Sequence, residues 1–253
     1  MLSKNKIKLI QSLNRKKDRN ESGLFLIEGN KMVEEALHSD FVIETLVCTS
    51  GFLSLHPQIR SKVNEIIEAD SESIQKASLL QNPQDSLALI RLPSTDKSEM
   101  NLQNELILAL DFIQDPGNLG TILRIADWFG IRTVICSENT VDVYNPKVVQ
   151  ASMGAIFRVN TRYTNLENFL SKANENHIPV YGTFLEGKDI YAEKLSSNGI
   201  IILGNEGNGI SDSIRNLVTH KLYIPSFSTD ENKPESLNVA IAAAICCSEF
   251  RRR

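Results

Sequence analysis

The sequence predicts an α/β fold, a mostly parallel sheet covered by helices and preceded by a small α/β domain. Three observations carry this. Apolar runs of strand length alternate with helix-length amphipathic segments along most of the 253 residues. Residues 106–112 (LILALDF) are apolar at nearly every position, as in a strand buried on both faces. The polar, proline-bearing stretch 92–98 separates two patterned regions. Its position predicts domains over 1–97 and 98–253.

In the first region, 24–28 is an apolar run between Gly23 and Gly29 and reads as a strand. Residues 31–38 follow as a helix with Val33, Ala36 and Leu37 on one side. Residues 42–49 read as a second strand, 59–69 as a helix and 86–92 as a closing strand. In the second region, strand 106–112 leads into a helix over 119–129, stopped by Gly130. A strand follows over 133–137, then helices over 146–153 and 165–176. Strands over 180–184, 200–203 and 221–224 come next, and an apolar helix over 237–250 closes the chain.

Composition excludes several classes. Hydrophobic residues at 42% allow a packed core and argue against global disorder. The longest strongly apolar run, 239–247, is about half the length a membrane-spanning helix needs. Lysines interrupt the N-terminal apolar residues, so no signal peptide is read and the expected location is the cytoplasm. Cys48, Cys136, Cys246 and Cys247 form no C-x-x-C pair and read as reduced, buried thiols. Four scattered His give no metal-ligand spacing, so no metal is expected.

The net charge of −4 hides an asymmetry. Residues 1–19 carry seven Lys and Arg against Asp18 alone, which leaves an acidic remainder. Such an arm suits a polyanion met locally, with Lys16, Lys17 and Arg19 as its candidate contacts; a solvated terminal helix is the plainer reading.

Three motifs follow predicted strands, where open α/β sheets bind ligands. The first is Asp115-Pro116-Gly117-Asn118-Leu119-Gly120, running into the helix that carries Arg124. Asn118 is expected to cap that helix. Ile122, Leu123 and Ala126 would face the sheet. Arg124 adds to the positive end of the helix dipole, so it either reaches out to solvent or answers an anion. The second motif is Gly204-Asn205-Glu206-Gly207-Asn208-Gly209, whose glycines allow close backbone approach to a ligand. It is not the dinucleotide fingerprint, which argues against a nicotinamide dehydrogenase. The third motif runs from Ile224-Pro225 through a polar loop to Ser236-Leu237-Asn238. Ser236 is a candidate cap for the last helix. Asn238 opens a run so apolar that burial, and hence a defined hydrogen-bond partner, is expected.

In order and residues, the three motifs resemble the SpoU/TrmH family of RNA ribose 2′-O-methyltransferases, within the SPOUT group. The resemblance covers about 106–250. Asn118, Arg124, Glu206, Ser236 and Asn238 match positions of that family's motifs, and 152–155 (SMGA) matches a softer stretch. Residues 25–29 (FLIEG), with Val33 and Ala36, are similar to the ribosomal-protein-like RNA-binding domain of many members. The loop 226–234 departs from the pattern: it is longer, carries Asp230, Glu231 and Lys233, and lacks Gly.

The resemblance implies a C-terminal trefoil knot and S-adenosylmethionine as cofactor, held at Thr183, Gly204, Asn205, Gly207, Ile224 and Leu237. It implies a homodimer with the last helix in the interface. It gives Arg124 the activation of the ribose hydroxyl. A guanidinium is a poor base, so stabilisation of a developing alkoxide is the better role. Glu206 is the alternative base or an orienting partner. Asn118 would orient Arg124 or the ribose, and Ser236 and Asn238 would hold the third loop and the substrate. Ribosomal RNA is the expected substrate, transfer RNA the second. A non-catalytic RNA-binding protein of the same fold is the competing class, and the intact Arg124, Glu206 and Asn238 speak against it.

Overall fold

The structure, a computed structural model, describes residues 2–94, 102–230 and 236–252. The first part of the chain forms α1 (Lys4–Ser12), α2 (Lys16–Ser22), β1 (Leu24–Glu28), α3 (Asn30–Leu37), β2 (Ile43–Cys48), α4 (Ser50–Leu55), β3 (Val63–Glu68), α5 (Ser71–Ala77) and β4 (Ser86–Arg91). The second forms β5 (Leu106–Leu110), α6 (Pro116–Trp128), β6 (Thr133–Ser137), α7 (Pro146–Ser152), β7 (Asn160–Thr164) and α8 (Leu166–Glu175). It continues with β8 (Val180–Asp189), β9 (Gly199–Leu203), α9 (Asp212–Arg215), β10 (His220–Tyr223) and α10 (Val239–Arg251). The expected linker, 92–98, lies largely outside the described residues, as do 231–234 of the third loop.

Contacts divide the chain into two units, Met1–Lys97 with Asp142–Arg158, and Ser98–Val141 with Val159–Arg253. The segment Asp142–Arg158, expected in the second domain, therefore groups with the first. Within that unit Arg19 pairs with Asp142 at 2.5 Å, and the Tyr144 ring lies 4.7 Å from that of Phe25. Phe157 meets Phe41 edge-on at 5.2 Å.

The first unit holds a four-stranded sheet in the order β1-β4-β2-β3, antiparallel except for the β2–β3 pair. Its core gathers Ile10 and Leu13 of the N-terminal segment with Leu26, Val47, Ile74, Leu87 and Leu89. The helix expected over 59–69 is instead a short 3-10 turn, Pro57–Ser61, followed by β3. Val63, Ile66 and Ile67 have helical spacing, but the residues of this edge strand are only partly buried or exposed, so strict alternation is not demanded.

The second unit holds a six-stranded sheet in the order β10-β8-β9-β5-β6-β7, every pair parallel. Ile107, Ala109, Ile200 and Ile202 pack against Leu166, Phe169, Leu170 and Ala173 of α8. The alternate residues Leu108, Leu110, Ile201 and Leu203 are equally buried on the opposite face. There α6 and α10 pack on each other and on β6 and β9. The prediction for α6 holds on its buried side, with Ile122, Leu123 and Ala126 all inaccessible. β8 is longer than expected and shifts register against β10 between Lys221 and Leu222.

Candidate functional site

Parallel strands put all their carboxyl ends on one edge of the sheet. The segments after β10, β9 and β5, and the irregular stretch within β8, belong to four strands adjacent in the sheet, although they are far apart in sequence. These segments carry the three motifs and Thr183.

The first motif begins with a sharp exit from β5. Phe112 has φ +61°, a conformation non-glycine residues rarely adopt. It is held on both sides: its N–H donates to Ser137 Oγ at 2.8 Å and its carbonyl accepts from Asn205 Nδ2 at 2.9 Å. The cap of α6 is Asp115, not Asn118. Its Oδ1 accepts from Asn118 N at 2.8 Å, and Pro116 takes the first helical position, where no N–H is missed. Asn118 sits one turn in, which frees its side chain for other work.

The second motif is a loop closed on itself. Asn205 and Gly209 exchange both backbone hydrogen bonds at 2.9 Å. A Cβ on Gly204 would stand 2.2 Å from the Gly209 carbonyl carbon and the Ile210 nitrogen, so only glycine fits. The Asn205 side chain accepts from Gly207 N and Asn208 N at 3.0 Å each. The far end is tied by Asp111, a buried carboxylate that accepts from Ser211 N at 2.7 Å.

Glu206 is drawn into the first motif. It accepts from Gln114 N at 3.3 Å, Asp115 N at 3.1 Å, Asn118 Nδ2 at 3.1 Å and Asn205 Nδ2 at 3.4 Å. Burial pushes its carboxyl up, but the Asn118 amide and the backbone N–H groups outweigh this and hold it below the ordinary value. A carboxylate so held accepts a proton less readily than an ordinary one.

The third motif closes the set. Asn238 donates through Nδ2 to Asn118 Oδ1 at 2.9 Å. Its own Oδ1 caps α10, accepting from Ala240 N at 2.9 Å and Ile241 N at 3.3 Å. The expectation that Asn238 is buried fails: it is exposed, because it stands on the rim ahead of the apolar helix. The cap of α10 is likewise Asn238 and not Ser236, which is exposed and bonds to none of the described site residues. Leu237 is 51% exposed. Ile224 is half-buried at the end of β10, and Thr183 half-buried within β8. Arg124 is exposed on α6 and makes no ion pair or hydrogen bond among the described residues.

The structure thus unites Asn118, Glu206, Asn238 and Asn205, and leaves Arg124 and Ser236 outside the hydrogen-bond network. Asp111 escaped the sequence reading. Its signal was a carboxylate at the end of an otherwise apolar strand.

The arm is different from its expectation. Arg19 is 2% exposed, donates to the carbonyls of Leu13 and Asn14 and pairs with Asp142, so it is not an RNA contact. Lys6 is paired with Glu65 at 2.7 Å, Arg15 with Asp18 at 2.5 Å and, more loosely, Lys17 with Glu21 at 3.7 Å. Lys4, Lys8 and Lys16 are exposed without an acidic partner among the described residues.

The residues fit S-adenosylmethionine. The glycine loop exposes backbone rather than side chains, Leu237 offers apolar surface, and Glu206 is a fixed anion, opposite in sign to a sulfonium. Among the described residues no group of three His, Cys, Asp or Glu side chains could hold a metal, and no helix is long and apolar enough to cross a membrane.

The parallel sheet and the three motifs at its carboxyl edge agree with a methyltransferase of the SpoU/TrmH kind, and the comparisons with known proteins establish the family. The SpoU rRNA methylase family model matches residues 105–248, and an MRM3-like substrate-binding domain matches residues 4–88. The chain belongs to the SpoU family. It is 30% identical over 250 residues to the 23S rRNA (guanosine(2553)-2′-O)-methyltransferase RlmP of Bacillus subtilis, covering 97% of this chain and 96% of that one. Among solved structures it is similar to an RNA methyltransferase assigned to the TrmH family from Porphyromonas gingivalis. That match has 41% identity and a TM-score of 0.89, covering 100% of this chain and 99% of the other. It is also similar to the AdoMet-bound rRNA methyltransferase of Sinorhizobium meliloti, at 29% identity and TM-score 0.88, covering 100% and 97%.

Proposed function

We propose that this chain transfers a methyl group from S-adenosylmethionine to a ribose 2′-hydroxyl of ribosomal RNA. The observation that carries the reading is the convergence of Glu206, Asn118 and Asn238, one from each motif, in a single hydrogen-bonded set. Relatives named as rRNA 2′-O-methyltransferases support the substrate class.

S-adenosylmethionine, when bound, supplies an electrophilic methyl on a sulfonium, so the protein has no bond to activate there. Thr183, Gly204, Asn205, Gly207, Ile224 and Leu237 would hold it. What remains is to align the ribose oxygen and to stabilise the charge that develops as its proton passes to solvent water. Arg124 is the group suited to this, because it is a permanent cation and has no competing anion among the described residues. Asn118 and Asn238 fix the frame around it, and Ser236 belongs to the loop that meets the substrate.

We read 1–97 as the substrate-binding domain and 98–253 as the methyltransferase domain, with Lys16 and Lys17 among the arm's RNA contacts. The chain path through β8, β9 and β10 is read as a trefoil knot. The half-exposed Leu237 and Ile241 favour a homodimer through α10. The bacterial relatives named for ribosomal RNA support a cytoplasmic location. The test is a map of 2′-O-methylation in total RNA from cells with and without the gene. Loss of one ribosomal site is expected. A missing site in transfer RNA, or an unchanged map, overturns the assignment.

A further inference from the structure

We infer that Asn238, Asn118 and Glu206 form a hydrogen-bond chain of fixed direction, in which the two asparagines are positioning residues that lock α10, α6 and the glycine loop in one register. Its consequence for catalysis rests on the methyltransferase reading; its geometry does not.

An isolated amide side chain can face either way, since it offers a carbonyl on one side and an N–H₂ on the other. Here neither end of the chain has that choice. The N–H groups of Ala240 and Ile241 can only donate, so Asn238 must present Oδ1 to them, at 2.9 and 3.3 Å. Its Nδ2 is then turned to Asn118 and donates to Oδ1 at 2.9 Å. Asn118 must in turn present Nδ2 to Glu206, where it donates to Oε1 at 3.1 Å. The far end is equally committed. Glu206 already accepts from Gln114 N, Asp115 N and Asn205 Nδ2, all of them donors. Every bond therefore runs the same way, from the positive end of α10 to a carboxylate, and each polarises the next.

The direction gives each residue a distinct role. Glu206 is the sink of the chain and must remain an anion. Asn118 is a through-link: its oxygen accepts one bond and its nitrogen donates one, which fixes the way its remaining lone pair and N–H face. Arg124 lies further along the helix that the link anchors. Its placement relative to the cofactor loop is thus set through Asn118.

A reversed chain should also work if the charge is moved to the other end. In the double variant Asn238→Asp with Glu206→Gln, the introduced aspartate still caps α10 but can no longer donate. Asn118 then turns over, donating to that aspartate and accepting from the amide of the introduced glutamine, while the Asp115 N–H, which shares that position, loses its acceptor. Either change alone leaves Asn118 facing two acceptors or losing its anion. Thermal unfolding and calorimetric titration with S-adenosylmethionine are measured on the full chain for the wild type, both single variants and the double.

Each single variant is expected to melt lower and to bind the cofactor about tenfold more weakly. The double is expected to exceed both singles in each measurement. A double variant worse than either single, as independent sites require, overturns the chain. Where a single variant does not fold, a folded double counts as the same rescue. Should all three fail to fold, Asn238→Ser keeps an acceptor for α10 but shortens the side chain by one bond, so that its donor no longer reaches Asn118. Retained melting with weakened cofactor binding then supports the chain, and unchanged binding overturns it. Failure of the wild type to bind S-adenosylmethionine sinks the methyltransferase reading, while the unfolding comparison still reports on the chain.

Discussion

The two units treat charged side chains in opposite ways. In the first, Arg19 is almost wholly buried against Asp142 and two carbonyls. In the second, Arg124 is exposed with no partner among the described residues. The carboxylates diverge as well. Glu28 of the first unit is buried with the Ser78 hydroxyl and the Leu79 N–H, and burial wins, so its carboxyl is raised. Glu206 faces four N–H donors and is lowered despite its burial. What separates each pair is the supply of partners, not the residue type. A charge fully answered within the protein serves the fold, and one left unanswered is available to a ligand.

The largest expected effect tests the arginine pair from the structural side. Arg19→Ala should remove about 3–5 kcal/mol of stability, because it strands Asp142 and two carbonyls. Chemical denaturation reads the loss. A change within about 0.5 kcal/mol would return Arg19 to the surface and erase the contrast.

Arg124→Ala is the functional counterpart. It should leave melting and cofactor affinity within a few-fold of wild type and lower methyl transfer by about a hundredfold or more. Arg124→Lys should also fail, since a point ammonium does not reproduce the planar fork. Near-normal turnover on the true RNA by either variant would remove Arg124 from the reaction.

These two arginines mark the limit of what could be read in sequence. The motifs exposed the site because each is short, polar and set after an apolar strand. The parallel sheet was legible from runs such as 106–112. Asn118 and Asp115 were not separable, since both favour a helix start; the Pro116 ring assigns the first helical position and hence the cap to Asp115. β3 was misread because its partly buried edge position relaxes the alternation. Arg19 was misassigned because its partner, Asp142, is 123 residues away. No local pattern reports a contact of that range.

The carboxylate pair is tested by pH. A lowered carboxyl contributes stability that is present above its unfolded value and lost as pH falls through the folded one. A raised carboxyl acts in reverse: its burial costs stability as pH rises above the unfolded value. Glu206→Gln should therefore lose on the order of 1 kcal/mol at neutral pH, and its deficit should shrink as the pH is lowered. Glu28→Gln keeps acceptors for Ser78 and Leu79 and removes the buried charge. It should match or exceed wild type at neutral pH by up to about 1 kcal/mol, with the gain vanishing in acid. Parallel pH profiles for the two variants would refute the opposed environments.

The smallest expected effect concerns the arm. With Arg19 withdrawn into the fold, Lys16 and Lys17 are the remaining pair from the sequence reading, and Lys17 is already shared loosely with Glu21. Lys16→Ala with Lys17→Ala should weaken RNA binding by only a few-fold. Each phosphate that goes unneutralised lowers the slope of log affinity against log salt by about 0.9 on duplex and about 0.7 on single strands. A decrease of at most about 2 is therefore expected, nearer to 1 if Lys17 stays with Glu21. Melting should not move, since both side chains are exposed. An unchanged slope makes the arm a solvated surface. A larger fall would mean that the two lysines organise phosphate contacts beyond their own, as an exposed Arg19 would have done.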